Sequence, residues 1–213
     1  LATFFIDFDI EIYGGFKGTE SILDERNWLS NPTILSGDIG IIEDSTDNVF
    51  HILTTEAEGT VGTLVRKVVL DGFEIVDGRA DGGMGDNNGG AWHNTRAEIS
   101  IRNCTLEENF ASDLGGALYS DRSEVITTNC TYRYNNTNNS GGAIYFEYGG
   151  VNVKTLTAIN CAFWENTAGG GGAIYMRYLD FESSQGDTSL YITNCTFSEN
   201  TGSAAGGAGA ISF

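Results

Sequence analysis

The chain has 213 residues, enough for one sizeable core or one run of repeats, and its 29 glycines beside a single proline favour regular turns over a disordered linker. Lys plus Arg number 11 against 29 Asp plus Glu, a formal charge of −18 that repels phosphate backbones and anionic membranes, which excludes nucleic acid as a partner. No heptad pattern and no apolar run near the roughly 20 residues needed to cross a bilayer occurs, so the chain reads as all-β without direct membrane insertion.

Leu1-Ala2-Thr3-Phe4-Phe5-Ile6 is strand-like from the first residue, and Gly209-Ala210-Ile211-Ser212-Phe213 ends the chain inside another apolar run. Both ends are therefore expected to be cut from a longer polypeptide. Asp44, Asp47 and Asn48, and then Asp81 and Asp86 in the glycine-rich stretch Asp81 to Asn88, are oxygen-rich loops of the kind Ca²⁺ can use. Neither has the EF-hand spacing, and ordinary acidic turns are the competing reading. No other cofactor is implied. Val69-Leu70-Asp71-Gly72-Phe73 sits where a repeated strand begins to be expected. Residues 1–80 are read as irregular first coils and 81–213 as regular coils of one unit.

From residue 89 the chain repeats itself. Asn103-Cys104, Asn129-Cys130, Asn160-Cys161 and Asn194-Cys195 share one context, each followed two residues after Cys by a large apolar group (Leu106, Tyr132, Phe163, Phe197) and five after Cys by Asn109, Asn135, Asn166 or Asn200. A glycine pair follows and opens Gly-Gly-Ala-Ile/Leu-Tyr at Gly115, Gly141 and Gly171, with a fainter copy at Gly89 and a disturbed one at Gly206. Cysteine spacings are 26, 31 and 34, and the variation falls in stretches such as Tyr148 to Lys154 and Tyr178 to Thr188, one corner of each coil. Half-buried strands of three to five residues, sharp turns and insertions on one side predict a right-handed parallel β-helix, with like side chains stacked about 4.8 Å apart. In such a stack the Asn columns serve left-handed turns and amide ladders.

Gly141-Gly142-Ala143-Ile144 and Gly171-Gly172-Ala173-Ile174, paired with Phe163 to Asn166 and Phe197 to Asn200, resemble the repeat of chlamydial polymorphic outer-membrane proteins over roughly residues 89–213. Ile12-Tyr13-Gly14-Gly15-Phe16-Lys17-Gly18-Thr19-Glu20, Arg26-Asn27-Trp28 and Asn31-Pro32-Thr33-Ile34-Leu35-Ser36-Gly37-Asp38 are similar to the start of the β-helix in large secreted proteins of Bacteroidota. These resemblances imply a β-helix at the bacterial surface or exported from it, in families that include adhesins. They transfer no catalytic residue.

Cys104, Cys130, Cys161 and Cys195 fall in one column among inward aromatics, where vertical neighbours are poorly aimed for a disulfide, so free buried thiols are expected. Tyr119, Tyr145 and Tyr175 share a register, with Tyr148 and Tyr178 three residues on; they form either an outward aromatic column able to stack on sugars or a column packed under a neighbouring loop. A polysaccharide lyase or glycoside hydrolase, the alternative function, needs a base beside a neutralised uronate or facing carboxylates. The candidates for it are Arg96 and Arg122, the pair Glu107 and Arg133, and the near-column Glu108, Glu165 and Glu199 interrupted by Tyr134. A solvated edge accounts for the same glutamates. His51 and His93 stand in unrelated contexts and support no metal or nucleophile site. The sequence thus predicts an extracellular adhesive or structural module whose partner is a cell-surface glycan, a protein or another copy of itself.

Overall fold

In the computed structural model, which describes residues 3–56, 66–148, 154–178, 188–204 and 207–213, twenty-four short strands fill four parallel sheets. Trp92–Thr95, Ala97–Arg102, Thr105–Glu107 and Phe110–Ala111 make one coil, each strand going to a different sheet. Strands inside each sheet pair with the strands at the same place one coil before and one coil after, and those at its two ends with one neighbour, so the fold is a right-handed parallel β-helix. The first sheet stacks Leu53, Trp92, Leu118, Ile144, Ile174 and Ile211 in one row. The disturbed last repeat thereby resolves itself: the second glycine copy, Gly209-Ala210-Ile211, takes the strand position. In the early coils Gly72-Phe73-Glu74-Ile75 takes the place of Asn103-Cys104-Thr105-Leu106, with Glu74 beside Thr105 and Ile75 beside Leu106.

Each coil closes because single residues at its corners adopt the left-handed conformation. Between the first and second sheets these are Arg96 and Arg122 (φ 59° and 50°). Between the second and third stand Gly72, Asn103, Asn129, Asn160 and Asn194, and between the third and fourth Asp77, Glu108, Tyr134, Glu165 and Glu199. Asn and Gly tolerate this region; the others accept about 1–2 kcal/mol of strain to turn the chain in one residue. The glycine pair divides its labour: Gly115, Gly141 and Gly171 have positive φ, while a Cβ on Gly142 would lie 2.1 Å from the Gly172 carbonyl oxygen of the next coil. The stretches joining the first sheet to the second at 149–153 and 179–187, where the repeat length varies, lie outside the described residues.

Alternation within each strand sends one set of side chains into a dry core. Tyr132, Phe163 and Phe197 stack there at 4.9 and 4.8 Å with nearly parallel rings, and the buried Tyr132 hydroxyl donates to Thr127 Oγ1 at 3.0 Å.

The two asparagine columns differ in kind. Asn109, Asn135 and Asn166 are buried, and each Nδ2 donates to the Oδ1 of the next coil (3.1, 3.0 and 2.8 Å) and to a carbonyl of the coil before (Ile75, Leu106 and Tyr132). The left-handed residue at that corner is the one before them, Glu108, Tyr134 or Glu165, which corrects the expectation that both Asn columns occupy left-handed turns. Asn103, Asn129, Asn160 and Asn194 are left-handed, lie at the surface, and donate the other way, each to the coil before it (Asn129 to Asn103 at 3.2 Å, Asn160 to Asn129 at 3.1 Å, Asn194 to Asn160 at 2.8 Å). Asn103 ends that ladder on Asp71 Oδ1 at 2.8 Å.

All four cysteines are free; Cys104, Cys130 and Cys161 are buried and Cys195 is half-buried. Each thiol lies against two carbonyl oxygens, for Cys130 those of Thr128 at 3.3 Å and of Ile101 one coil earlier at 3.4 Å. Cysteine suits the column because it is small, apolar and a weak donor. Burial pushes the Cys130 thiol up to about 12. Iodoacetamide should therefore label Cys195 first in the native protein and all four only after denaturation without reductant, read by mass spectrometry. Fewer than four labels in the denatured, unreduced sample would mean a disulfide.

A loop over residues 14–32 crosses the corner between the second and third sheets and is tied down by Arg26. Arg26 Nη2 meets Asp71 Oδ1 at 2.8 Å with both side chains 8% exposed, and Nη1 reaches the carbonyls of Gly14 (3.1 Å) and Asp71 (3.2 Å). The guanidinium lies over the rings of Tyr13 and Trp28 at 5.1 and 5.0 Å.

Candidate functional site

The outer face of the first sheet carries the strongest repetition. Its strands alternate, so that Leu118 and Ser120 turn inward while Tyr119 and Asp121 turn outward, and register places Tyr119 beside Tyr145 and Tyr145 beside Tyr175. The rings stack at 5.7 and 5.5 Å within 9° and 1° of parallel. The column runs further than the tyrosines: His93 lies 5.0 Å from Tyr119, and His51 lies 5.1 Å from His93. The two histidines, expected in unrelated places, are neighbours because Leu53 pairs with Trp92.

Stacking decides what this column can offer. Tyr119 and Tyr145 spend both faces on their ring neighbours and Tyr175 spends one, and Tyr145 is only 1% exposed. A sugar ring cannot lie on a face already covered, and with Tyr145 buried only the part-exposed edges of Tyr119 and Tyr175 are open to a partner. Burial raises Tyr119 and Tyr145 above the usual phenol range, with nearby carboxylates adding to the effect, so both stay protonated donors. The Tyr145 hydroxyl donates to Glu147 Oε2 at 3.1 Å. Beside the rings a second row runs Asp121, Glu147, Arg177, and Asp121 is held by Arg122 Nε at 2.8 Å.

Tyr148 departs from the sequence reading. It stands three residues from Tyr145, an odd step in a strand, and its ring is buried in the core cluster with Ile144 and Phe146. The ring of Tyr178 lies outside the described residues.

At the head of the column, His51 Nδ1 meets the Gly89 carbonyl at 3.0 Å and His93 Nδ1 the Asn88 carbonyl at 3.2 Å. Burial, and then the charge of His51, push His93 below the ordinary imidazole range, against the weaker pull of the Asn88 carbonyl, Glu56 and Asp121. The unfolded chain binds a proton near pH 6.5 that the folded chain refuses. Stability should therefore be full above about pH 6.5 and fall as the pH drops below it, and His93→Phe should flatten that slope in thermal melts. Parallel curves for the two proteins would exclude His93 as the cause.

The acidic loops hold themselves together. Asp81 Oδ2 accepts from Arg79 Nε at 2.7 Å, Asp86 Oδ1 lies 3.7 Å from His51 Nε2, Asp47 Oδ2 accepts from the Ile41 amide and Asp44 Oδ1 from the Thr46 amide and hydroxyl. No three His, Cys, Asp or Glu side chains among the described residues converge as a metal cluster. Glu107 and Arg133 do form the ion pair expected of them. Glu108, Glu165 and Glu199 lie along one ridge, each at a left-handed corner and with Tyr134 between the first two, and do not face one another across a cleft.

One concave site escaped sequence reasoning. The loop bearing Trp28, Leu29 and Pro32 borders a cleft of about 160 Å³ whose other walls carry Glu74, Thr105, Thr131, Asn103 and Asn129, with Gly72, Phe73 and Cys104 between them. The triplet Arg26-Asn27-Trp28 signalled it only as part of a motif. No family model, curated protein or solved structure matches the chain.

Proposed function

We propose that this chain is an adhesive or structural module of an exported bacterial protein, presenting at the cell surface or outside the cell a repetitive face to a glycan, a protein or another copy of itself. The observation that carries this reading is the outer face of the first sheet, where a tyrosine column, open at Tyr119 and Tyr175, runs in register beside the charged row Asp121, Glu147, Arg177. Side chains repeated at one spacing along a stiff rod sum many weak contacts into useful avidity. The resemblance of the repeats to chlamydial polymorphic outer-membrane proteins, and of residues 12–38 to secreted Bacteroidota proteins, supports the location.

The test is retention of neutral and acidic polysaccharides on the immobilised chain, with and without Ca²⁺, alongside polymer length in solution. Retention without shortening, weakened by Tyr119→Ala together with Tyr175→Ala, is the expected result. Shortened polymer would replace this reading with a glycan-degrading enzyme, and no retention of any polymer would remove glycan binding from it.

A further inference from the structure

We infer that the cleft beneath Trp28 is a subsite for one uncharged pyranose, the end or branch residue of the glycan invoked above, an inference that rests on that reading. Its volume, about 160 Å³, is half the roughly 300 Å³ at which drug-sized sites begin, which suits a single ring rather than an oligomer. Trp28 supplies the amphipathic wall on which the apolar face of a sugar packs.

The opposite wall is polar and regular. Glu74, Thr105 and Thr131 occupy equivalent positions on three adjacent strands of the third sheet, about 4.8 Å apart. Among the described residues none of their side chains takes part in a hydrogen bond, so a carboxylate and two hydroxyls stand ready for a ligand. Asn129 adds an amide hydrogen, since Nδ2 uses one on Asn103 Oδ1 and has a second.

The groups are fixed before any ligand arrives. Arg26 holds the indole, Asp71 holds Arg26, and Asn129 is gripped by Asn103 on one side and Asn160 on the other. Such preorganisation lowers the ordering cost of binding. Selectivity follows from charge: Glu74 can accept two neighbouring sugar hydroxyls but repels a uronate or a sulfated ring.

The experiment is saturation-transfer NMR and calorimetry of the whole chain with methyl glycosides of glucose, galactose, mannose and N-acetylglucosamine, with glucuronate as the charged control. At least one neutral glycoside should saturate in the millimolar range while glucuronate gives no signal. Glu74→Gln and the pair Thr105→Val, Thr131→Val should weaken it about tenfold or more without changing the melting curve, since all three side chains lie outside the core. Trp28→Ala should abolish it, with Trp28→Phe retaining part. Glucuronate binding as well as the neutral sugars, or full affinity in both polar variants, overturns the inference. Polysaccharide retained on wild type and undiminished in Glu74→Gln would sink the subsite while leaving the proposed function intact; no retention by the wild type would sink the subsite and remove glycan binding from the proposed function.

Discussion

Asp71→Ala should lower the unfolding free energy by about 3–5 kcal/mol, the usual cost of removing one partner from a buried ion pair. Asp71 is 6% exposed, and its carboxylate is the acceptor for both Arg26 Nη2 and Asn103 Nδ2. Alanine leaves a guanidinium among Tyr13, Trp28 and the Gly14 carbonyl with no countercharge. Replacing Arg26 with Met in the same chain should recover part of the loss, because the uncompensated charge is then gone. Urea titration measures both, and amide exchange locates the effect: residues 14–32 should lose protection first. A change below about 1 kcal/mol would mean that the loop is held by its packing and not by Arg26.

Asn135→Leu is the second large effect. The Asn135 side chain accepts from the Asn109 amide at 3.2 Å and Asn109 Nδ2 at 3.1 Å, and donates to the Leu106 carbonyl at 2.9 Å and Asn166 Oδ1 at 3.0 Å. All these groups are buried, and each orphaned polar group costs about 1–3 kcal/mol, so a total above about 4 kcal/mol is expected even with partial relaxation. The exposed ladder provides the contrast. Asn129→Gly keeps the left-handed corner (φ 55°) and exposes its former partners to water, so it should cost less than about 1 kcal/mol. Equal losses in the two variants would mean that burial does not set the strength of these ladders.

The β-helix was legible because its repeat is written in residue types that have few substitutes: a small thiol under a carbonyl pair, an amide that bonds its own copy, glycines where a Cβ has no room. The bend at Glu108, Tyr134 and Glu165 was not legible, since nothing about Glu or Tyr advertises a left-handed turn; stacking against neighbouring coils imposes it. Tyr148 could have been placed correctly from parity alone, three residues from Tyr145 being the opposite face. The meeting of His51 with His93 could not, because it depends on which strand an irregular coil lays beside Trp92. The cleft under Trp28 needed the loop's path, which a buried Arg26–Asp71 contact 45 residues apart determines and no local pattern announces.

The opposed directions of the two asparagine ladders have an electrical consequence. A row of amides all pointing one way adds its dipoles with every coil, as peptide dipoles add along a helix. Here the amide-to-amide bonds of the buried row run toward the later coils, from Nδ2 to the next Oδ1, and those of the surface row run toward the earlier ones. The two sums oppose each other coil by coil, and a rod of this design can lengthen without its side-chain amides polarising its ends.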